Sequence, residues 1–294
     1  MKPTSITPPT LSIVTPSFNQ ASYLEATMSS VIGQHYPGLE YVVVDGGSSD
    51  GSIDIIRGHE NDLAWWVSEQ DGGHADAVNK GFRRTSGEVM GWINSSDLYL
   101  PWTLAVVAEI FASRPEVDWI TGVPCVAGSD GVVRRTSVTS VNRYDYLSTD
   151  SIRIQQESTF WRRGLWEAVG GLDASLRYAA DFDLWSRFFA HAELYFVTCA
   201  LAVFRVHGER LGAPGGDAYK REAADSLRRM AGNAGTSDLR RARAVSIARR
   251  IGGRLGPQLL EVAPACAWYR HPQISYDFSA DTWKTVTAGR LGRR

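Results

Sequence analysis

Cysteine is scarce: Cys125, Cys199 and Cys266 are odd in number, far apart, and include no C-x-x-C pair. That excludes a disulfide framework and leaves no thiolate set for zinc, so the thiols are expected as small, buried apolar groups. No stretch approaches the ~18 uninterrupted apolar residues of a membrane span. Met1 to Thr10, with one Lys and three Pro, has no apolar signal-type core. G-x-G-x-x-G is missing, which weakens a dinucleotide-binding reading. No Gly-rich loop bearing Lys or Arg supports the triphosphate site of a nucleotidyltransferase. Internal repeats are also absent. What is present is ordinary for a folded domain: 294 residues, 44% hydrophobic and 21% charged, with 28 Gly and 12 Pro. A chain of this length buries about 75% of its unfolded surface.

The net charge of -1 conceals a division. From Lys220 onward there are 15 Lys and Arg against six Asp and Glu, or +9, and the first 219 residues carry -10. An acidic body with a basic tail suggests a metal-binding catalytic part with an anion-facing appendage, or a solvated helical face.

Leu11 to Thr15 and Tyr41 to Val44 are continuous apolar runs expected as buried strands, Trp65 to Val67 is a candidate third, and Val89 to Ile93 is the next. Between them lie helical patterns. The first runs from about Ser22 to Gln34 and opens on a capping box, Ser22 to Glu25; the others include Ile53 with Ile56, then Ala75, Val78 and Phe82. Alternation of this kind predicts a mostly parallel, doubly wound α/β sheet with ligands beyond the carboxyl ends of its strands. Pro101 to Ala112 is a further helix, and Trp119 to Thr121 and Val132 to Arg135 are shorter strands. From Gln155 to Phe189 the sequence turns aromatic and amphipathic and is expected to form surfaces rather than strands. Leu194 to Val206 is again β-like. Beyond a Gly/Pro loop at 210–217 the chain is Ala/Arg-rich and helical to about Leu260.

Polar clusters sit where these strands end. Asp45 opens the Gly-rich turn Asp45-Gly-Gly-Ser-Ser-Asp-Gly51, either as a ligand for a base N–H or sugar hydroxyl or as a turn residue capping the next helix. Asp97 follows Asn94-Ser95-Ser96 and suits a Mg²⁺ or Mn²⁺ ion carried largely by a diphosphate, or an N-cap. Asp181 and Asp183 stand at a helix start, where the dipole favours negative charge. Residues two apart do not share a helix face, so one of the pair is expected to point into a site. His207 is a ligand or a structural histidine.

In order along residues 11 to 210, the segments resemble glycosyltransferase family 2, inverting nucleotide-sugar-dependent enzymes with the GT-A fold. They are Ile13-Val-Thr-Pro-Ser-Phe-Asn19, Tyr41 to Gly51, Trp66-Val-Ser-Glu-Gln-Asp-Gly-Gly-His74, Asp76-Ala-Val-Asn-Lys-Gly81, Gly87 to Asp97, Phe160-Trp-Arg-Arg163, Gly170-Gly-Leu-Asp173, Asp181-Phe-Asp-Leu-Trp185 and Phe204-Arg-Val-His207. The resemblance implies a GT-A, Rossmann-like sheet flanked by helices; the tail beyond Lys220 falls outside it and is expected, from its Ala/Arg-rich sequence, as a helical C-terminal appendage. The resemblance implies a catalytic domain over 1–219, with a nucleotide-binding half at about 11–121 and an acceptor and catalytic half at about 122–219. Residues 220–294 would form a basic helical extension.

By the same resemblance, Thr15, Pro16, Ser17 and Asn19 match the first nucleotide loop, and Asp45 with Ser48 the base-reading loop. Asp71, Asn79 and Lys80 match the donor segment, Ser96 and Asp97 the D-x-D-type motif, and Asp181 the catalytic base. His207 matches a residue near the metal or diphosphate. Ser96 stands where the family commonly has an acid, and Ala180 where many members have Glu. Trp161 and Trp185 are acceptor-side candidates that could stack on sugar faces, with core packing as the ordinary alternative for such aromatics. The implied activity is metal-dependent (Mg or Mn) inverting transfer from a nucleoside diphosphate sugar, a UDP-sugar being the expected donor. The acceptor would be a glycan or lipid-linked hydroxyl in cell-surface polysaccharide or glycolipid assembly. A catalytically weak sugar-nucleotide binder or scaffold is the alternative, motivated by Ser96. The expected location is the cytoplasm, with peripheral membrane contact through a basic face of Arg240, Arg241, Arg243, Arg249, Arg250 and Arg254 or, in the ordinary reading, a solvated helix packed by Leu239, Val245, Ile247 and Leu255. No nucleic-acid partner is expected.

Overall fold

The computed structural model describes residues 7–136, 140–149, 154–208, 216–252, 260, 263–269 and 271–287. The first half alternates as expected: β1 (Leu11–Ser17), α1 (Ala21–Ile32), β2 (Leu39–Asp45), α2 (Ser52–Gly58), β3 (Trp65–Ser68), α3 (His74–Phe82) and β4 (Val89–Trp92). Then come β5 (Leu98–Tyr99), α4 (Thr103–Ser113), β6 (Trp119–Thr121), β7 (Cys125–Ala127), β8 (Val133–Thr136), α5 (Arg143–Ser148), β9 (Thr159–Arg162), α6 (Arg163–Val169) and α7 (Ala180–Phe188). The chain continues through β10 (Leu194–Val197), β11 (Ala202–Arg205), α8 (Gly216–Asn233), α9 (Thr236–Gly252), β12 (Pro272–Asp277) and β13 (Thr282–Thr287).

Nine strands form one sheet in the order β13-β12-β10-β6-β9-β4-β1-β2-β3, and β5-β11-β7-β8 form a smaller one. Strands β4, β1, β2 and β3 are mutually parallel, with Ser17 beside Asp45 and Asp45 beside Ser68. At the centre of the large sheet, β1 and β4 are buried on both faces and β2 nearly so, which is why these strands have continuous apolar sequences. Ile13, Tyr41 and Val43 face α1 and α4, and Val14, Val42 and Val44 face the layer of α3, α6 and α7.

Three expectations change. The aromatic stretch after Gln155 contains a strand: β9 lies antiparallel between β4 and β6. Its Phe160 and Trp161 enter opposite apolar faces, so no polar alternation marked it. The Ser22 to Glu25 capping box does not form; Gln20 precedes α1 without a side-chain cap, and the Asp50 carboxylate accepts the Ala21 N–H at 2.8 Å. The C-terminal extension is not helical throughout. After α8 and α9, β12 pairs parallel with β10 and antiparallel with β13, and Ile274 is fully buried. A free edge at β10 is thereby covered.

α8 packs on α7, and α9 on α5. Two buried acids make these junctions. Asp183 accepts from Arg187 (2.8 Å), Arg229 (2.6 Å) and Ser226 (3.0 Å). Asp145 accepts from Arg249 (2.5 Å), His271 (3.0 Å), the Asn142 N–H (3.0 Å) and the Tyr269 hydroxyl. Burial works against the Asp145 charge, yet the His271 and Tyr269 contacts hold its carboxyl below the usual range.

Candidate active site

Because β3, β2, β1 and β4 run parallel side by side, the loops after them leave one sheet edge together. The first two are tied into one unit. The Gly46 N–H donates to Ser17 O at 2.8 Å, the Asn19 N–H to Ser48 Oγ at 2.8 Å, and the Ser49 N–H to Asn19 Oδ1 at 2.9 Å. Asp45 is fully buried and organises this loop. Its Oδ2 accepts from the N–H groups of Gly47 (3.1 Å) and Ser48 (2.8 Å) and from Ser68 Oγ (2.7 Å), and its Oδ1 from Ser48 Oγ (2.5 Å). Gly47 sits at φ +84, and a Cβ on Gly46 would lie 3.2 Å from Asp71 Oδ2 and 3.3 Å from the Phe18 ring. The two glycines thus bring the base of the loop against Asp71.

From Asp71 the acidic side of the cleft continues through His74, at the start of α3. His74 Nε2 lies 2.8 Å from Asn94 Oδ1, and Asn94 Nδ2 donates to Asp97 Oδ2 (3.3 Å) and Gln156 Oε1 (3.2 Å). With the amide nitrogen so committed, its oxygen accepts and His74 donates from Nε2. Burial lowers the His74 pKa, although Asn94 and the charges of Asp181 and Asp71 oppose it. Burial thus favours the neutral form of His74. Asp97 is 1% exposed and accepts the Arg205 N–H at 2.9 Å, and burial pushes its carboxyl up to about 7. Glu157, 2% exposed, lies within reach of the charges of Asp97 and Asp181; burial first, then Asp97, raises it well above the ordinary range. Its Oε1 has no hydrogen-bond partner among the described residues. Strand β11, paired with β5, carries Arg205 and His207 to the same place, where the Tyr23 ring lies 5.2 Å from the Arg205 guanidinium and 4.4 Å from the His207 ring. Asp71 and Asp181 act on His74, and Asp97 and Asp181 on Glu157, so these four carboxylates share one electrostatic neighbourhood although the sequence scatters them.

The sequence matches the profile of Glycosyl transferase family 2 over residues 12–167. An uncharacterized glycosyltransferase of Mycobacterium tuberculosis strain H37Rv is 31% identical over 204 residues, covering 68% of this chain and 76% of the relative. The chain belongs to glycosyltransferase family 2. Among solved structures, residues 1–349 of S. aureus TarS in complex with UDP-GlcNAc superpose with a TM-score of 0.64 at 18% identity, covering 85% of this chain and 75% of that one. The mannosyltransferase PcManGT of Pyrobaculum calidifontis, in complex with GDP-Man and Mn²⁺, gives 0.58 at 21%, covering 91% and 84%. The transferase has the GT-A fold.

Several residues matched by the family pattern make structural contacts in this glycosyltransferase. Thr15 and Pro16 are buried within β1, which runs on to Ser17, and the Thr15 hydroxyl meets Tyr41 Oη at 2.9 Å. Asn79 uses both ends of its amide on the backbone of Leu172, at 2.8 and 3.0 Å, and so pins the Gly170 to Asp173 loop. Lys80 pairs with Glu69 at 2.9 Å, six residues (about 9 Å along the helix) from His74. It lines an open pocket of about 460 Å³ with Trp65, Val67, Glu69, Arg83 and Arg84. Trp161 and Trp185 are wholly buried, so the expected acceptor-side role gives way to packing. Trp185 stacks between Trp92 and Trp119, both ring centroids at 5.7 Å. Of the two acids on α7, Asp183 is engaged by cations, while Asp181 accepts the Phe182 N–H at 2.7 Å and its charge acts on His74 and Glu157.

Sequence reasoning gave no role to His74, Asn94, Gln156 or Glu157. The first two stood inside quoted motifs, and the polar run Gln155-Gln156-Glu157 ahead of an aromatic strand was the available signal for the others. Ser96, half-buried, flanks Asp97 as expected. A hard divalent cation fits the chemistry of Asp97, an oxygen donor whose burial the Arg205 charge offsets only in part, with His207 just beyond the end of β11. Among the described residues there is no cluster of three His, Cys, Asp or Glu that could hold a metal ion.

Proposed function

We propose that the chain is a metal-dependent inverting glycosyltransferase moving a sugar from a nucleoside diphosphate sugar, of the UDP type, to a hydroxyl of a glycan or lipid-linked acceptor. Cell-surface polysaccharide or glycolipid assembly in the cytoplasm is the setting. One observation supports the reading most: Asp181 shares its electrostatic environment with Asp71, Asp97 and Glu157 around His74. Relatives add to it. TarS is described with UDP-GlcNAc and PcManGT with GDP-Man and Mn²⁺.

In this mechanism the tied loops at Asn19 and Ser48 and the rim at Asp71 hold the nucleotide, and Asp45 keeps the loop rigid from below. Asp97 and His207 would hold a Mg²⁺ or Mn²⁺ ion, whose charge would offset that developing on the leaving diphosphate. Asp181 takes the proton from the acceptor hydroxyl as it attacks the anomeric carbon, a role worth roughly 10²- to 10⁴-fold. His74 fixes the orientation of Asn94 and, through it, of Asp97. The catalytic part is residues 1–219, with the nucleotide half at about 11–121 and the acceptor half at about 122–219.

Asp181→Asn tests the base. Transfer should fall at least 10²-fold, and the rise in Tm given by UDP-GlcNAc with Mn²⁺ should be unchanged, since donor binding does not use the base. Full activity in that variant would overturn the assignment.

A further inference from the structure

The two C-terminal helices are both rich in charge but arranged differently. α8 mixes signs along its length, with Asp217, Glu222 and Asp225 among Lys220, Arg221, Arg228 and Arg229. In α9 the sole acid, Asp238, faces the protein and pairs with Arg143 (3.1 Å) and Arg241 (3.9 Å). Arg241 also donates to Tyr144 Oη, and Arg249 to Asp145. Ala242 and Val245 are buried on that side. The remaining arginines, Arg240, Arg243 and Arg250, are exposed. So are Leu239 (41%), Ile247 (48%) and Ile251 (83%), which a solvated helix packed by Leu239 and Ile247 would have covered. At 100° per residue these six positions fall within an arc of about 120°. The outward face of α9 is therefore three guanidiniums and three aliphatic chains with no carboxylate. Arg254 and Leu255 lie outside the described residues.

We infer that this face of α9 is a peripheral membrane-docking surface for anionic phospholipid headgroups. The helix is held rigidly from behind by the Asp145 and Asp238 pairs, so docking needs no folding step. Its aliphatic chains are placed to enter the headgroup boundary while the arginines between them meet phosphates. A zwitterionic bilayer has phosphates but no net negative charge to draw the guanidiniums, and an acidic protein surface without an apolar patch leaves Ile251 uncovered. The inference is independent of the proposed transfer reaction, and its test contains neither donor nor acceptor.

Full-length protein is sedimented with phosphatidylcholine vesicles with and without phosphatidylglycerol. Binding is expected only with phosphatidylglycerol and should weaken steeply with salt. The double variant Arg243→Glu/Arg250→Glu should lose at least tenfold in affinity, at about fivefold or more per arginine near an anionic surface. Ile247→Ser/Ile251→Ser should lose affinity without changing the salt dependence. Arg221→Glu/Arg228→Glu on α8 makes the same charge change and should bind as the parent does; circular dichroism checks that each variant folds. Absence of binding by the parent chain would overturn the inference, as would equal loss in the α8 variant. Light scattering that shows a lipid-free dimer broken by the α9 substitutions would also overturn it, because the face would then be covered by a second copy.

Discussion

The cleft and the junction with the C-terminal helices both bury carboxylates, and they treat them in opposite ways. At the junction, Asp145 and Asp183 are each met by cations: Arg249 and His271 on one, Arg187 and Arg229 on the other. Around His74, Asp97 and Glu157 are buried within reach of each other's charge, and the Arg205 guanidinium, 5.2 Å from the Tyr23 ring, offsets only part of the cost of burying Asp97. Burial of a charge costs several kcal/mol unless it is paired, so unpaired acids are not retained for stability. A paired acid is a structural joint, and an unpaired one awaits a ligand of opposite charge. Asp45 is a third case, satisfied by N–H and hydroxyl donors alone.

The strongest way to break this contrast is at Asp97. Asp97→Asn should lower the transfer rate by about 10²- to 10³-fold, the scale of removing one transition-state stabiliser. The metal-free protein should nevertheless become more stable. Recovering even one unit of the raised pKa is worth about 1.4 kcal/mol, a Tm rise of about 3 °C by scanning calorimetry. A less stable Asp97→Asn would refute the idea that this carboxylate is only partly compensated.

Asp145→Ala should do the reverse. Stranding Arg249 and His271 should cost about 3–5 kcal/mol in urea unfolding, with transfer per folded molecule retained. A loss below about 1 kcal/mol would place the joint in the class of surface ion pairs.

The same contrast predicts opposite pH slopes. Asp97, raised to about 7, binds more protons folded than unfolded between about pH 4 and 7. Its contribution to stability in metal-free protein therefore falls as pH rises through that window and levels off above it. Asp145, held low, contributes fully above its unfolded pKa and loses that contribution as pH falls through its folded one. Tm measured from pH 4 to 8 without metal should decline more steeply in the parent than in Asp97→Asn. Parallel curves would contradict the assignment.

The smallest effect is expected at Asp50, an exposed acid that caps α1 and the start of α2. Asp50→Ala should cost about 1 kcal/mol, measured by urea unfolding, with activity close to the parent's.

Much of this was legible in one dimension. The apolar runs that became β1, β2 and β4, the polar clusters at their ends and the spacing of Asp45, Asp97 and Asp181 follow from local chemistry, because a strand buried on both faces must be apolar and must stop where its loop meets water. The two acids of α7 were separable in principle, since helical geometry forbids both from facing one way. β9 was hidden because its aromatic residues serve two apolar faces, and the 272–287 hairpin because strand pairing is a contact between distant segments.

What the sequence determined by itself is therefore the alternation of strands and helices and the edge at which polar groups gather. Which acids meet cations, which tryptophans are sealed in the core and which arginines of α9 face outward were decided by tertiary structure. Charge compensation and burial depend on neighbours brought from more than a hundred residues away, as His271 is to Asp145, and no local pattern encodes that distance.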